Sequence, residues 1–412
     1  MTDAPTILYI VSRFPTVTET FVVNEWWKLG DRFRLEFASL LAQREEVLHE
    51  PTRRLLPLVT WVGLLAPATV RANLALALRR PRLYFATLLE LQRGSARTPM
   101  GGHLKGAFTF WKAVRLAELA RARGARHVHA HFANQPATAA WVIHRLTGIP
   151  FSFTAHANDL FLGPALLDRK LREAAFAATI SEYNVAFMRR LVPGEHRVEV
   201  VHCGIEPSDF PFRERGPVQT LLCVARLADT KGHADLLRAF ALVAPDLPRL
   251  RLRLVGDGPE RARLQVLARE LGIERRVDFL GSLGAARVTS LMAESDLFVL
   301  AAIPHPSGAM DGIPVALMEA MSSGLPVLTT ELSGIPELVE DGRTGLLVRP
   351  GDVPALADGI RRLVEDRDLR ERLAANARQH VVERFSLTAE AERLGDLFAE
   401  SVFGTRRSLT VA

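Results

Sequence analysis

Asp311 and Glu319 stand eight residues apart in DGIPVALMEA, separated by a Gly-x-Pro step and an apolar run. Two carboxylates at this distance suit hydrolysis, metal binding or recognition of sugar hydroxyls, or carry no chemistry at all. VALMEAM is helix-forming, and Pro314 fits a first helical position. Asp311 and Gly312 then lie in the loop before the helix, with Glu319 about one and a half turns inside it. The acids therefore do not stack on one helix face. They flank the step Ile313-Pro314-Val315, where unbonded helix N–H groups attract an anion. A ligand with a phosphate and hydroxyls on either side fits this layout, Asp311 bonding hydroxyls near the phosphate and Glu319 others deeper in. The plainer alternative has Asp311 capping the helix and Glu319 facing solvent. Glu319 sits among Leu317, Met318, Ala320 and Met321, so a buried acid there needs a partner.

Cations stand ready for such an anion. In ARLADTKGH, Arg226 follows an apolar strand and Lys231 sits on the next loop. The chain has five lysines among 52 basic residues, and Lys231 is the sole lysine after residue 170. A compact point charge kept in an arginine-dominated chain points to a diphosphate, with Arg226 as the forked partner. Gly256, Asp257 and Gly258 form a turn in VGDGPE that suits the base side of a nucleotide, joined by Gly281 and Ser282 after the next strand. A lone Gly-x-Gly is equally an ordinary helix start, and without a third glycine it does not indicate NAD. SGIPELVEDGRTGLL repeats the Gly-Ile-Pro design and adds a further loop. In the first half, SFTAHANDL places His156 and Asp159 after an apolar strand, His156 poised to meet charge at a reacting centre. HVHAHF puts His127, His129 and His131 on one sheet face. Three histidines there could ligate a metal, but packed, hydrogen-bonded rings are the preferred reading, with no metal site and His131 the functional candidate. Thr18, Glu19 and Thr20, in SRFPTVTETF, line the loop after the first strand.

These residues need strand ends to hold them. TILYIVSRF, RLEFASLL, HVHAHF, PFSFTAH, ATISE and VEVVHCGI alternate with helical patterns such as WKAVRLAELARARG and PALLDRKLREAAFA. TLLCVARL, LRLRLVGDG, VDFLGSL, LFVLAA, LPVLTT and GLLVRPGD do the same in the second half. Apolar strands separated by helices make doubly wound parallel sheets. We therefore expect an α/β chain of two Rossmann-like domains facing a cleft, with ligands at the carboxyl ends of the strands. The expected domains are residues 1–212, with a basic and apolar insertion over about 51–115, and 213–385. Residues 386–412 are expected to end in a helix.

The 412 residues exceed one ordinary core. Cys203 and Cys223 lie in apolar runs, as buried thiols of a reducing cytosol do. The N-terminus lacks the order of a signal peptide, and no run reaches the length of a membrane span. A cytoplasmic chain follows. Residues 51–126 hold 14 basic residues but only Glu90 and Glu118 as acids. Beside Trp, Phe and Leu, this charge suits an anionic membrane surface, hence peripheral association. The competing reading is an insertion whose apolar face packs on its own domain. No nucleic-acid module is present.

Several spaced motifs together resemble a known family. ARLADTKGH, VGDGPE, DGIPVALMEAMSSGLPV and SGIPELVEDGRTGLLV resemble the donor half of retaining glycosyltransferases of family 4. SRFPTVTETFVVNE and HAHFANQPATAAWVIHRLTGIPFSFTAHANDL resemble its bacterial exopolysaccharide branch, of colanic-acid type. The resemblance covers most of the chain and is weakest over about 45–110. It implies the glycosyltransferase B fold, a last helix crossing back to the first domain, a nucleotide-diphosphate sugar donor, uridine as the base, and no metal or other cofactor. It implies that Arg226 and Lys231 bind the diphosphate, Glu319 the ribose and Asp311 the sugar, with His156 beside the reacting centre. Family members usually carry Glu at position 311, and many have a Gly-Gly pair where this chain reads TVTETF. The implied reaction retains anomeric configuration and delivers the sugar to a growing, lipid-linked saccharide. Rival readings are a nucleotide-sugar epimerase or phosphorylase on the same architecture, or a catalytically silent, membrane-docked partner of a polysaccharide complex. A glycoside hydrolase fits less well, because its acids should flank one bond at short range.

Overall fold

The computed structural model describes residues 4–16, 19–45, 48–95, 102–214 and 216–404. The chain divides into two compact units. One holds residues 1–180, 184–202 and 390–412, the other 181–183 and 203–389.

In the first unit, seven strands form one parallel sheet: β1 (Thr6–Phe14), β2 (Arg34–Ala42), β3 (Val59–Trp61), β4 (Ala125–His131), β5 (Phe151–Ala155), β6 (Phe176–Thr179) and β7 (Val198–Val200). Their order is β3-β2-β1-β4-β5-β6-β7. β1 shows why apolar runs become central strands here. Ile7, Tyr9 and Val11 enter one core with Trp26 and Phe398, while Leu8 and Ile10 enter another with Trp141 and Phe153. Each fully buried Leu, Ile or Val contributes about 1.5–3 kcal/mol. Alternation places successive residues on opposite faces, so a strand covered on both sides is largely apolar along its length. The helix Leu387–Phe403 supplies Leu394 and Phe398 to the first of these cores.

Three readings change. β3 lies inside LLPLVTWVGLLAPATV, expected only as part of a basic, apolar insertion; its three residues pair with Phe37, Ala38 and Ser39 of β2. The helix expected through Ala177 spans only Leu167–Glu173, because Phe176 and Ala177 pair with β5 as strand. Cys203 is partly exposed rather than buried, since β7 ends at Val200.

The second unit carries six parallel strands: β8 (Thr220–Val224), β9 (Arg251–Val255), β10 (Val277–Gly281), β11 (Leu297–Leu300), β12 (Val327–Thr330) and β13 (Leu346–Val348). Their order is β10-β9-β8-β11-β12-β13. Both sheets therefore reverse their winding once, between β1 and β4 and between β8 and β11. Loops leaving the two strands at a reversal diverge to opposite faces and open a crevice at the strand ends. The chemistry-bearing residues gather at these two places.

Candidate active site

In the second unit, Lys231 and Asp311 meet. Lys231 Nζ lies 2.6 Å from Asp311 Oδ1 and 2.7 Å from Oδ2, joining the loops that follow β8 and β11. Lys231 ends a short 3-10 turn, Asp229–Lys231, and Gly232 follows with φ 62°. A Cβ on Gly232 would sit 1.7 Å from the Ala301 carbonyl oxygen. Only glycine lets the lysine loop press this closely on the tip of β11. Ile303 N–H donates to Thr230 O at 3.0 Å and ties the same loops. The loop carrying Asp311 is also held from β12's side, where Ser333 Oγ donates to the carbonyls of Asp311 and Gly312. Arg226 is exposed, and nothing among the described residues ties its guanidinium.

The helix runs from Val315 to Ser322, and Pro314 is its N-cap with extended ψ 124°, not its first residue. No side chain caps it. The carboxylate of Asp311 is engaged by Lys231, so the capping alternative fails. Ile313 is buried in the core and anchors the step, leaving the first-turn N–H groups of Val315 and Ala316 at the open helix end. Glu319 does not face open solvent either. It is half-buried, no partner for its carboxylate exists among the described residues, and burial pushes its pKa up to about 7. Such a carboxylate lacks donors, and hydroxyls of a ligand would supply them.

Gly256 and Gly281 are brought together at the tips of β9 and β10, the Gly256 N–H donating to Gly281 O at 2.8 Å. A Cβ on Gly256 would stand 2.0 Å from Ala225 O, and one on Gly258 2.3 Å from Leu227 O. These glycines therefore bring the 256–258 turn flush against the loop carrying Arg226. Asp257 accepts from Gly258 N–H at 2.7 Å, and Ser282 is exposed beside them.

In the first unit, Thr18 lies outside the described residues. Glu19 is the N-cap of the helix Thr20–Leu29, makes no side-chain cap, and is raised in pKa by burial. His127, His129 and His131 are fully buried. His127 bonds Ser152 and Ser401, and His129 bonds Ser152 at 2.8 Å and Thr154 at 3.1 Å. Glu25, His129 and His131 each place a ligand atom within 4.8 Å of the others, a spacing open to a metal. Both nitrogens of His129 are nevertheless engaged by hydroxyls, and those of His131 by Glu25 and His156. The rings are thus hydrogen-bonded, His127 and His129 to hydroxyls and His131 to Glu25 and His156.

His156 is buried between the rings of Phe21 and Phe132, each centroid 4.8 Å away. Burial and neighbouring His131 hold its pKa well below the usual histidine value, so it is neutral at pH 7. Asp159 turns its carboxylate to backbone, accepting from Ala133 N at 2.7 Å, Ala157 N at 2.9 Å and His156 N at 3.2 Å. Two residues in this region escaped sequence reasoning. Lys170, buried and lowered to about 7 by burial, donates to Ala133 O at 2.7 Å and Asn134 O at 3.2 Å. Glu25 accepts from His131 and from Tyr9. Its signal was an acid beside the helix's buried stripe of Val22, Val23, Trp26 and Leu29.

Two parallel sheets of this order, each reversing its winding once, define an architecture of two Rossmann-like units, with cations, an acid and an open helix end at the reversal of the second. Residues 205–380 match the family model described as Glycosyl transferases group 1, and residues 65–209 match Glycosyltransferase Family 4. Both models are of glycosyltransferases, and the fold is the glycosyltransferase B fold. WcaL of Salmonella typhimurium, whose name refers to colanic acid biosynthesis, is 35% identical over 205 residues, covering 49% of this chain and 50% of that protein. The amylovoran biosynthesis glycosyltransferase AmsK of Erwinia amylovora is 35% identical over 170 residues, covering 40% of this chain and 42% of AmsK. The matches thus span about half the length of these relatives. The crystal structure of Anabaena HepE in complex with UDP superposes with TM-score 0.70 at 19% identity, over 96% of this chain and all of that one.

Proposed function

We propose that the chain transfers a sugar from a uridine-diphosphate sugar to a growing, lipid-linked saccharide of a cell-surface polysaccharide, with anomeric configuration retained. The observation that carries this reading is the assembly at the β8/β11 reversal: Lys231 on Asp311, Arg226 exposed, an open helix N-terminus and a half-buried Glu319 in need of donors. Arg226, Lys231 and the N–H groups of Val315 and Ala316 would neutralise the departing diphosphate, and Glu319 would accept from ribose hydroxyls. The sugar–oxygen bond to the diphosphate breaks as an acceptor hydroxyl bonds the same carbon from the same face. Its proton passes to a phosphate oxygen. This arrangement assigns no carboxylate as nucleophile and routes no step through a metal. The exopolysaccharide relatives and the UDP complex of HepE support the substrate classes.

A thermal-shift panel tests the donor. UDP and UDP-sugars are expected to raise Tm by several degrees at 100-fold saturation, where binding adds about 2.7 kcal/mol, with ADP- and GDP-sugars weaker and EDTA without effect. No shift with any nucleotide sugar sinks the reading.

The basic insertion is proposed as the membrane-facing part. Its inner face does pack on its own unit, through Ala72, Tyr84, Leu91 and Phe110. Yet nine of the eighteen exposed large apolar side chains among the described residues fall within 51–126. On the helix Pro67–Arg79, Arg71, Leu74 and Leu78 share an exposed face, as do Arg82, Phe85, Leu89 and Arg93 on Pro81–Ser95. Arginine interleaved with Leu and Phe suits insertion at the headgroup level of an anionic inner leaflet. No described helix is long and apolar enough to cross a membrane. The protein is expected to cosediment with vesicles containing phosphatidylglycerol and to leave them as salt rises, while Leu78→Asp with Phe85→Asp abolishes binding. Equal recovery on neutral vesicles argues against the proposal.

A further inference from the structure

Four side chains run in an unbroken hydrogen-bonded row through the first unit. Tyr9 Oη donates to Glu25 Oε1 at 3.1 Å, and His131 Nε2 lies 2.9 Å from the same oxygen. His131 Nδ1 lies 3.2 Å from His156 Nε2. Burial and Glu25 hold the Tyr9 phenol far above its ordinary pKa, so it stays a donor. A carboxylate accepts only, so the nitrogen of His131 that faces it carries the proton. In a neutral His131 the other nitrogen, Nδ1, is then an acceptor. The nitrogen of His156 that faces it must in turn donate. The two rings lie nearly parallel, 23° apart with centroids at 5.5 Å, and Phe21 and Phe132 restrict rotation of His156. His129 sits beside His131 but is committed to the hydroxyls of Ser152 and Thr154, leaving the row no branch there.

We infer that Glu25 is a positioning residue that, acting through His131, fixes the tautomer and ring orientation of His156. The proton sits on Nε2 of both rings, and His156 Nδ1 is the lone-pair nitrogen. Glu25 lies on the helix Thr20–Leu29, 131 positions before His156 in the chain, so the loop after β5 takes its chemistry from the helix after β1. The functional weight of this control rests on the assignment of His156 to the reacting centre.

Two-bond ¹H–¹⁵N correlation spectra of the full chain labelled at histidine distinguish the tautomers, with His156 identified by its loss in His156→Gln. In the wild-type protein, both His131 and His156 are expected as Nε2–H; an Nδ1–H form of either overturns the inference without any variant at Glu25. In Glu25→Leu, His131 is left without an acceptor on Nε2. Its proton should move to Nδ1 and force His156 to Nδ1–H, with kcat lowered by more than about tenfold and donor KM within about threefold. Glu25→Gln, whose amide oxygen accepts as Oε1 does, should restore the Nε2–H form and most of kcat. Retention of Nε2–H on His156 in Glu25→Leu overturns the inference. A tautomer switch with kcat unchanged leaves Glu25 in control of His156 and overturns the placing of His156 at the reacting centre.

Discussion

Lys231→Ala is expected to lower kcat/KM for sugar transfer by roughly 10³-fold, the scale of removing one charged donor from a developing oxyanion. The lysine is well placed for that loss. Its side chain is 22% exposed, that of Asp311 14%, and the ammonium bridges both carboxylate oxygens. Gly232 seats its loop closely on the tip of β11. The substitution also strands Asp311, and a part-buried charge deprived of its partner costs about 1–3 kcal/mol. A cycle separates the two effects. Lys231→Ala/Asp311→Ala should recover much of the lost stability, since neither charge is then unpaired, but none of the activity. Steady-state kinetics beside thermal melts read both. Activity of Lys231→Ala within tenfold of wild type would remove the lysine from the diphosphate.

Glu319→Gln should weaken UDP binding by about 10–100-fold while making the ligand-free protein more stable. The sign follows from the direction of the shift. Burial raises this carboxyl from 4.5 to about 7, so between these values the folded state holds a proton that the unfolded chain has released. Ionisation is therefore disfavoured by folding, and the penalty is absent below the unfolded value, grows up to about pH 7 and is complete above it. At pH 8 glutamine should gain roughly 3 kcal/mol over glutamate, and at pH 4 almost nothing. Melts at both pH values, with and without UDP, give the four numbers required. A variant less stable at pH 8, or one whose UDP shift is intact, contradicts the assignment of Glu319 to ribose. A residue that destabilises the empty protein yet favours the ligand is what a binding role predicts.

The sheets were legible in sequence because a strand buried on both faces is largely apolar, as most of the six runs in each half were, although HVHAHF carries three histidines and LRLRLVGDG two arginines. β3 was not, since three residues inside a longer apolar run have no period of their own. Lys231 stood out by composition and Asp311 by spacing, yet their pairing spans 80 residues and follows only from the strand order. Lys170 escaped because its partners are backbone carbonyls, which no residue pattern records. Glu25 escaped because its meaning lies in His131, on a strand 106 positions away. The shift of Pro314 from first helical residue to cap changes little, since either position leaves the same N–H groups open.

The hydrogen bonds that Asp159 accepts from, and Lys170 donates to, the segment after β4 have an entropic consequence. Phe132 is held at φ 80°, a conformation a side chain rarely adopts alone, and Ala133 is gripped at both its N–H and its carbonyl. Ordering a residue of backbone forfeits about 1–2 kcal/mol of conformational freedom. For this segment that loss occurs at folding. A ligand arriving there meets a rigid surface and gives up only its own motion, so affinity there should track ligand stiffness more than loop sequence.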